Sequence, residues 1–243
     1  MKIITVTNQK GGVGKTTTAV TLGHRFAQDG RRVLLIDLDP QGQSAIALGL
    51  EQEPCAYGFL TFLPPAPLVR PARERLDIIP GNKRTGVAQT LMQSDPENFP
   101  LDAILQAVKP LASAYDVIVF DTSPSVGGLQ ERAIFAADLV LAPTSTEYMA
   151  LDGFSQTFST LSRLVNRGWK GKLAIIPTFY DHTKESAVAL NHMTEHFPHN
   201  TLPPIRRATV LRECAAEGKT IWEYAPESPV AADWLATIKG VKL

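Results

Sequence analysis

Apolar, β-branched runs recur at Ile3 to Thr7, Val33 to Ile36, Leu76 to Ile79, Val117 to Phe120, Leu139 to Ala142 and Leu173 to Pro177, mostly separated by stretches long enough for helices. That alternation predicts an α/β fold with a mostly parallel central sheet and helices on both faces. Strands covered on both faces should be almost continuously hydrophobic, and VLLI, VIVF and LVLA are. Thr16 to Asp29 predicts the first helix, ended by Gly30, and Glu147 to Asn166 a longer one ended by Gly168. Five prolines between Pro54 and Pro71 predict an irregular surface excursion; strand and helix signals resume at once, which argues against a linker.

Composition narrows this picture without changing it. The chain has 243 residues, 44% hydrophobic and 20% charged, which excludes disorder, collagen and coiled coil and predicts one domain over residues 1–243. Its 24 basic and 24 acidic residues cancel, so whole-chain charge names no partner and any nucleic acid must meet a local patch. Cys55 and Cys214 form no CxxC pair, so a disulfide framework or Cys-rich zinc site is not expected, and a reducing cytoplasm fits. The N-terminus reads as a strand without a signal-peptide core, and no window of about 18 uninterrupted apolar residues occurs, so no membrane span is expected.

Candidate chemistry begins after the first strand. Thr7-Asn8-Gln9-Lys10-Gly11-Gly12-Val13-Gly14-Lys15-Thr16-Thr17-Thr18 joins a strand to a helix, the setting in which backbone N–H groups wrap a phosphate. Gly11, Gly12 and Gly14 let those groups converge, Lys15 supplies charge for β/γ-phosphates, and Thr16 offers a hydroxyl to Mg²⁺. The strict GxxxxGK[ST] pattern fails, because Gln9 replaces its first glycine and Lys10 stands five residues before Lys15. Two more segments bring carboxylates. Asp37 and Asp39 end the second strand one residue apart, and two-residue alternation points both to one side. Asp121 follows VIVF, which puts an acid at the C-terminal edge of a buried strand, where open α/β sheets bind ligands.

KGGVGKTTT with its extra lysine resembles the deviant Walker A loop of the ParA/MinD class of dimerising P-loop ATPases, and the likeness runs along essentially the whole chain. The resemblance implies a P-loop fold, ATP and Mg²⁺, and a homodimer in which Lys15 acts in cis while Lys10 reaches the partner's nucleotide. It implies that residues 10–17, Val13 and Thr17 included, bind the nucleotide. Asp39 would position the attacking water, Asp37 would support the metal and its loop, and Asp121, in a strand similar to Walker B, would hold Mg²⁺ through water. Ile175 to Asp181 and Leu202 to Arg207 look like the segments that frame the base, with Thr178 and Pro204 as adenine contacts.

The same resemblance implies sequence-independent double-stranded DNA binding by the ATP dimer through Arg206, Arg207, Arg212 and Lys219. Arg163 and Arg167, followed by Lys170 and Lys172, form a second basic cluster able to track phosphates. A ParB-like or other adaptor, and a nucleoid-associated cytoplasmic location, belong to the same expectation. Because the chain starts at its first strand, no preceding operator-binding domain is expected. The class also holds two rivals to this reading. A MinD-like membrane cycle needs a cationic amphipathic tail, whereas Ala231 to Leu243 has few cations and is expected to be interrupted at Gly240. A relative of the nitrogenase iron protein would need cysteines just after a switch segment, and neither Cys55 nor Cys214 stands there.

Overall fold

The computed structural model describes residues 1–125, 127–147 and 150–241, with 150–155 given by their backbone. Its strands are β1 (Lys2–Val6), β2 (Val33–Asp37), β3 (Arg70–Arg73), β4 (Leu76–Ile79), β5 (Val117–Asp121), β6 (Leu139–Ser145) and β7 (Lys172–Thr178). They form one sheet in the order β3-β4-β2-β5-β1-β6-β7, parallel except where β3 pairs antiparallel with β4. Helices α1 (Lys15–Gln28), α2 (Gln43–Ala47), α3 (Ala56–Leu60), α4 (Lys83–Ser94), α5 (Ala103–Val108) and α6 (Gly128–Ala136) precede β6. Those that follow it are α7 (Ala150–Asn166), α8 (Lys184–His196), α9 (Val210–Ala216), α10 (Ile221–Tyr224) and α11 (Pro229–Gly240).

Alternation along the strands builds two cores. Val33 and Leu35 of β2, with Val117 and Val119 of β5, pack on one face against Leu22 and Phe26 of α1, Trp222 of α10 and Trp234 of α11. The intervening Leu34, Ile36, Ile118 and Phe120 face Phe59 of α3, Ile104 of α5 and Leu129 of α6. Each such side chain contributes about 1.5–3 kcal/mol when fully buried, so both layers are fixed by the sheet's own sequence. The consequence for function is geometric: β1, β2 and β5 deliver their carboxyl ends to one edge, in register through Val6↔Asp121 and Asp37↔Asp121.

Three expectations are corrected. The proline-rich excursion is largely ordered: it contains α3, a 3₁₀ turn at Ala66–Leu68 and edge strand β3, and Phe59 and Leu60 are buried. Pro71 is tolerated in β3 because that strand is an edge, paired on one side alone. The terminal helix is not interrupted at Gly240 but runs to it, with Val230, Ala231, Trp234 and Ile238 buried in the core. The expected start of the long helix at Glu147 is replaced by a bend at that residue; α7 begins at Ala150, and residues 148 and 149 lie outside the described residues. Among the described residues no helix is long and apolar enough to cross a membrane.

Candidate nucleotide site

The loop from β1 to α1 is anchored from three sides. Asn8, fully buried, donates to the carbonyl of Pro143 (2.8 Å) and accepts the N–H of Lys10 (2.9 Å). The hydroxyl of Thr178, at the end of β7, donates to the carbonyl of Val13 (3.0 Å). Gln9, which displaced the expected glycine, donates to the Thr160 hydroxyl of α7 (3.2 Å). Gly12 and Gly14 take φ of +73° and +92°, a region closed to most side chains. A Cβ built on Gly11, Gly12 or Gly14 would meet nothing within 4 Å, so open space adjoins the loop. Gly14 caps α1 without a side-chain bond, which leaves the first-turn N–H groups directed at that space.

Lys15 is 7% exposed and its ammonium donates to the main-chain oxygen of Lys10 (2.9 Å). Burial lowers its pKa, opposed by the charges of Asp121 and Asp39. Asp37 and Asp121 sit side by side on β2 and β5, both buried. Asp37 accepts the N–H groups of Asp39 (2.9 Å) and Ser44 (3.0 Å), while Asp121 Oδ2 accepts the Ser44 hydroxyl (2.9 Å). Burial, then the neighbouring Asp121, holds Asp37 well above the usual carboxylate range. Asp121 is raised by burial, with the Thr16 and Ser44 hydroxyls and Lys15 opposing.

A cavity of about 590 Å³ opens over the loop. It gathers Gly11, Gly12, Gly14, Lys15, Thr16 and Thr17 with Asp39 and Thr178. Pro204 does not line it; Ile205, Leu211 and Ile221 supply its apolar wall. Val13 lies buried behind the loop and offers its carbonyl to Thr178. Asp37 and Asp121 also stay out of the cavity lining: β2 ends at Asp37, so strand alternation does not extend to Asp39, which of these three acids is the one that lines the cavity. Lys10 leaves the cavity altogether and lines a neighbouring depression of about 500 Å³ with Glu147, Phe179, Asp181 and Arg207.

The two basic clusters are not brought together. Arg206, Arg207, Arg212 and Lys219 line the mouth of the nucleotide cavity. Arg206 is committed to Asp233 through two bonds (2.6 and 2.9 Å), and Arg207 to Glu147 (2.5 Å). Arg163 lies in the last turn of α7 and Arg167 just past it, before Lys172 opens β7, hence at the opposite edge of the sheet; Arg163 pairs with Glu131 (2.9 Å). Cys55 and Cys214 are buried and separate, the first capping α3 and the second in α9.

The residues present fit a magnesium nucleotide. Asp121 Oδ1 is buried yet makes no hydrogen bond, the Lys15 ammonium has one carbonyl, and the glycine loop borders open space. Such groups remain costly until an ion or phosphate meets them. Sequence reasoning missed Ser44, Glu147 and the apolar wall; Ser44 bonds across 77 positions, and no local pattern signals that.

Comparison with known proteins agrees. A family model described as an AAA domain matches residues 1–175. The chain is 37% identical to the sporulation initiation inhibitor protein Soj of Bacillus subtilis, over 99% of this chain and 98% of Soj. An ATP complex of a variant McdA from Cyanothece superimposes with a TM-score of 0.87 at 25% identity, covering 100% of this chain and 98% of that one. Cobyrinic acid a,c-diamide synthase from Mycobacterium smegmatis, solved with an ATP analogue and magnesium, gives 0.77 at 29% identity over 90% of this chain and 91% of that one.

Proposed function

This chain belongs to the ParA/Soj family of ATPases, and from that premise we propose that it positions a cargo by cycling between a DNA-bound ATP dimer and a released form. The enzyme hydrolyses ATP to ADP and phosphate with Mg²⁺. The proposal concerns what surrounds that reaction: a sandwich homodimer, sequence-independent DNA binding, slow turnover stimulated by a ParB-like adaptor, and association with the nucleoid. Residues 1–243 would act as one catalytic unit.

The observation that carries it is the split between two lysines. Lys15 turns inward to the cavity, whereas Lys10 lines a depression outside it, where its charge reaches the Glu147 carboxylate without forming an ion pair among the described residues. A cation held out of its own site is available to a neighbour's. Phosphoryl transfer depends chiefly on positioning and charge, so an ammonium delivered by a second subunit couples assembly to hydrolysis.

Within one subunit, Lys15 and the loop N–H groups hold the β/γ-phosphates, and Asp39 at the cavity wall orients the attacking water. Thr16 and Asp121, backed by Asp37, hold the metal, which neutralises phosphate charge when bound. Arg212 and Lys219, exposed at the cavity mouth and outside any ion pair among the described residues, are the strongest DNA candidates. A membrane cycle finds less support, since the apolar residues of α11 are already buried in the core.

Filter or gel-shift titration of random-sequence duplex DNA tests the reading. Binding should require ATP or a non-hydrolysable analogue with Mg²⁺; equal binding by the nucleotide-free protein would refute it.

A further inference from the structure

Ser44 is wholly buried at the start of α2 and spans the two carboxylates that face each other across β2 and β5. Its N–H donates to Asp37 Oδ2 (3.0 Å) and its hydroxyl to Asp121 Oδ2 (2.9 Å). Asp37 Oδ1 takes the N–H of Asp39 (2.9 Å). An unbroken set of bonds thus runs from Asp39 through Asp37 and Ser44 to Asp121. It joins the loop that brings Asp39, Gln41 and Gln43 to the cavity wall with the acid buried beneath Lys15.

The loop itself is held from behind. A Cβ on Gly42 would collide with the Gly81 carbonyl, and Gln52 donates to the carbonyls of Gln41 (2.8 Å) and Gly42 (3.1 Å). Ser44 therefore sits on a braced frame, and its hydroxyl can impose an orientation on its partner. A carboxylate's terminal torsion is broad and roughly two-fold. The bond to Oδ2 selects one orientation for Asp121 and leaves Oδ1, which makes no hydrogen bond, as the acceptor still to be satisfied.

We propose that Ser44 is a positioning residue for the magnesium-bound state: it aims Asp121 Oδ1 toward the metal and ties that aim to the loop carrying Asp39. Alanine would take the Ser44 donor away from Oδ2, which stays buried beside Asp37, and groups that orient metal-supporting carboxylates are worth about 10- to 100-fold in metal affinity. This inference rests on reading Asp121 as the metal-supporting acid.

The test is equilibrium binding of a fluorescent non-hydrolysable ATP analogue to the full chain, titrated with Mg²⁺ or measured in EDTA. Ser44→Ala should raise the half-saturating Mg²⁺ concentration about 10- to 100-fold and leave affinity in EDTA unchanged, while Ser44→Thr, which keeps the hydroxyl, should restore the response. If the alanine form does not fold, Ser44→Cys, similar in size and a weak donor, should move the midpoint the same way. An unchanged midpoint in the folded variant, or equal weakening with and without Mg²⁺, overturns the inference. Asp121→Asn separates the two claims: an unmoved midpoint there sinks the metal reading itself, whereas a raised midpoint there with none in Ser44→Ala sinks the role of Ser44 alone.

Discussion

Lys15 and Lys10 are joined through a hydrogen bond of 2.9 Å between the ammonium of the first and the main-chain oxygen of the second, yet their side chains serve different cavities. The loop that holds one cation inward by its backbone presents the other outward. This gives the two lysines separable tests.

Lys15→Ala should abolish tight nucleotide binding. Removing one partner of a desolvated charge pair costs about 2–5 kcal/mol, which is at least about 30-fold in Kd. Calorimetric titration with ATP and Mg²⁺ measures it, and near-normal affinity would show that the ammonium does not meet the phosphates.

Asp39→Ala should keep ATP and DNA and lose turnover by about 100-fold, the lower range for a positioned proton acceptor. Single-turnover hydrolysis with and without DNA is the readout. Normal hydrolysis would remove Asp39 from catalysis and leave it as a loop residue whose carboxylate caps the N–H of Gln41 (2.9 Å).

The paired state of the basic residues predicts unequal effects on DNA. Substituting Arg212 and Lys219 together should weaken binding to all sequences and lower the salt slope by about 0.9 for each phosphate no longer neutralised. Arg206→Ala should instead lower Tm, because Arg206 fastens the segment after β7 to Asp233 of α11. A larger change in slope from Arg206 than from the pair would reverse that assignment.

His24 sets a pH dependence. It is buried in α1, its Nδ1 lies 2.7 Å from the Thr220 hydroxyl, and burial lowers its pKa, with Glu223 opposing. Below the ordinary value of 6.5 the unfolded chain takes up a proton that the folded chain resists. Stability therefore falls as pH drops beneath about 6.5, toward the lowered folded value. Thermal unfolding between pH 7.5 and about 5 should show that loss, and a His24→Asn variant should show a shallower slope; parallel slopes would assign the effect elsewhere.

Much of the architecture was legible because β2, β5 and β6 are buried along their whole length and so begin with unbroken apolar runs, VLLI, VIVF and LVLA. Strand β3 was not legible: Arg70-Pro71-Ala72-Arg73 is a half-buried edge, and an edge strand needs no apolar pattern. The phosphate loop announced itself through glycines whose φ the chain could not otherwise reach. Two-residue alternation aims Asp37 at the same site as Asp39, but the strand ends at Asp37 and the backbone of Asp39 and Ser44 claims its oxygens. Long-range partners such as Asp233 for Arg206 and Glu147 for Arg207 are set by the packing of α11 and the β6–α7 loop, which no local pattern encodes.

The most direct measurement is the molar mass in solution with saturating non-hydrolysable ATP analogue and Mg²⁺, by light scattering coupled to gel filtration. The account predicts a dimer for the unaltered chain and a monomer for Lys10→Ala, which should still bind nucleotide through Lys15. An unaltered chain that stays monomeric under these conditions, or a Lys10→Ala variant that dimerises as well as the parent, would contradict it.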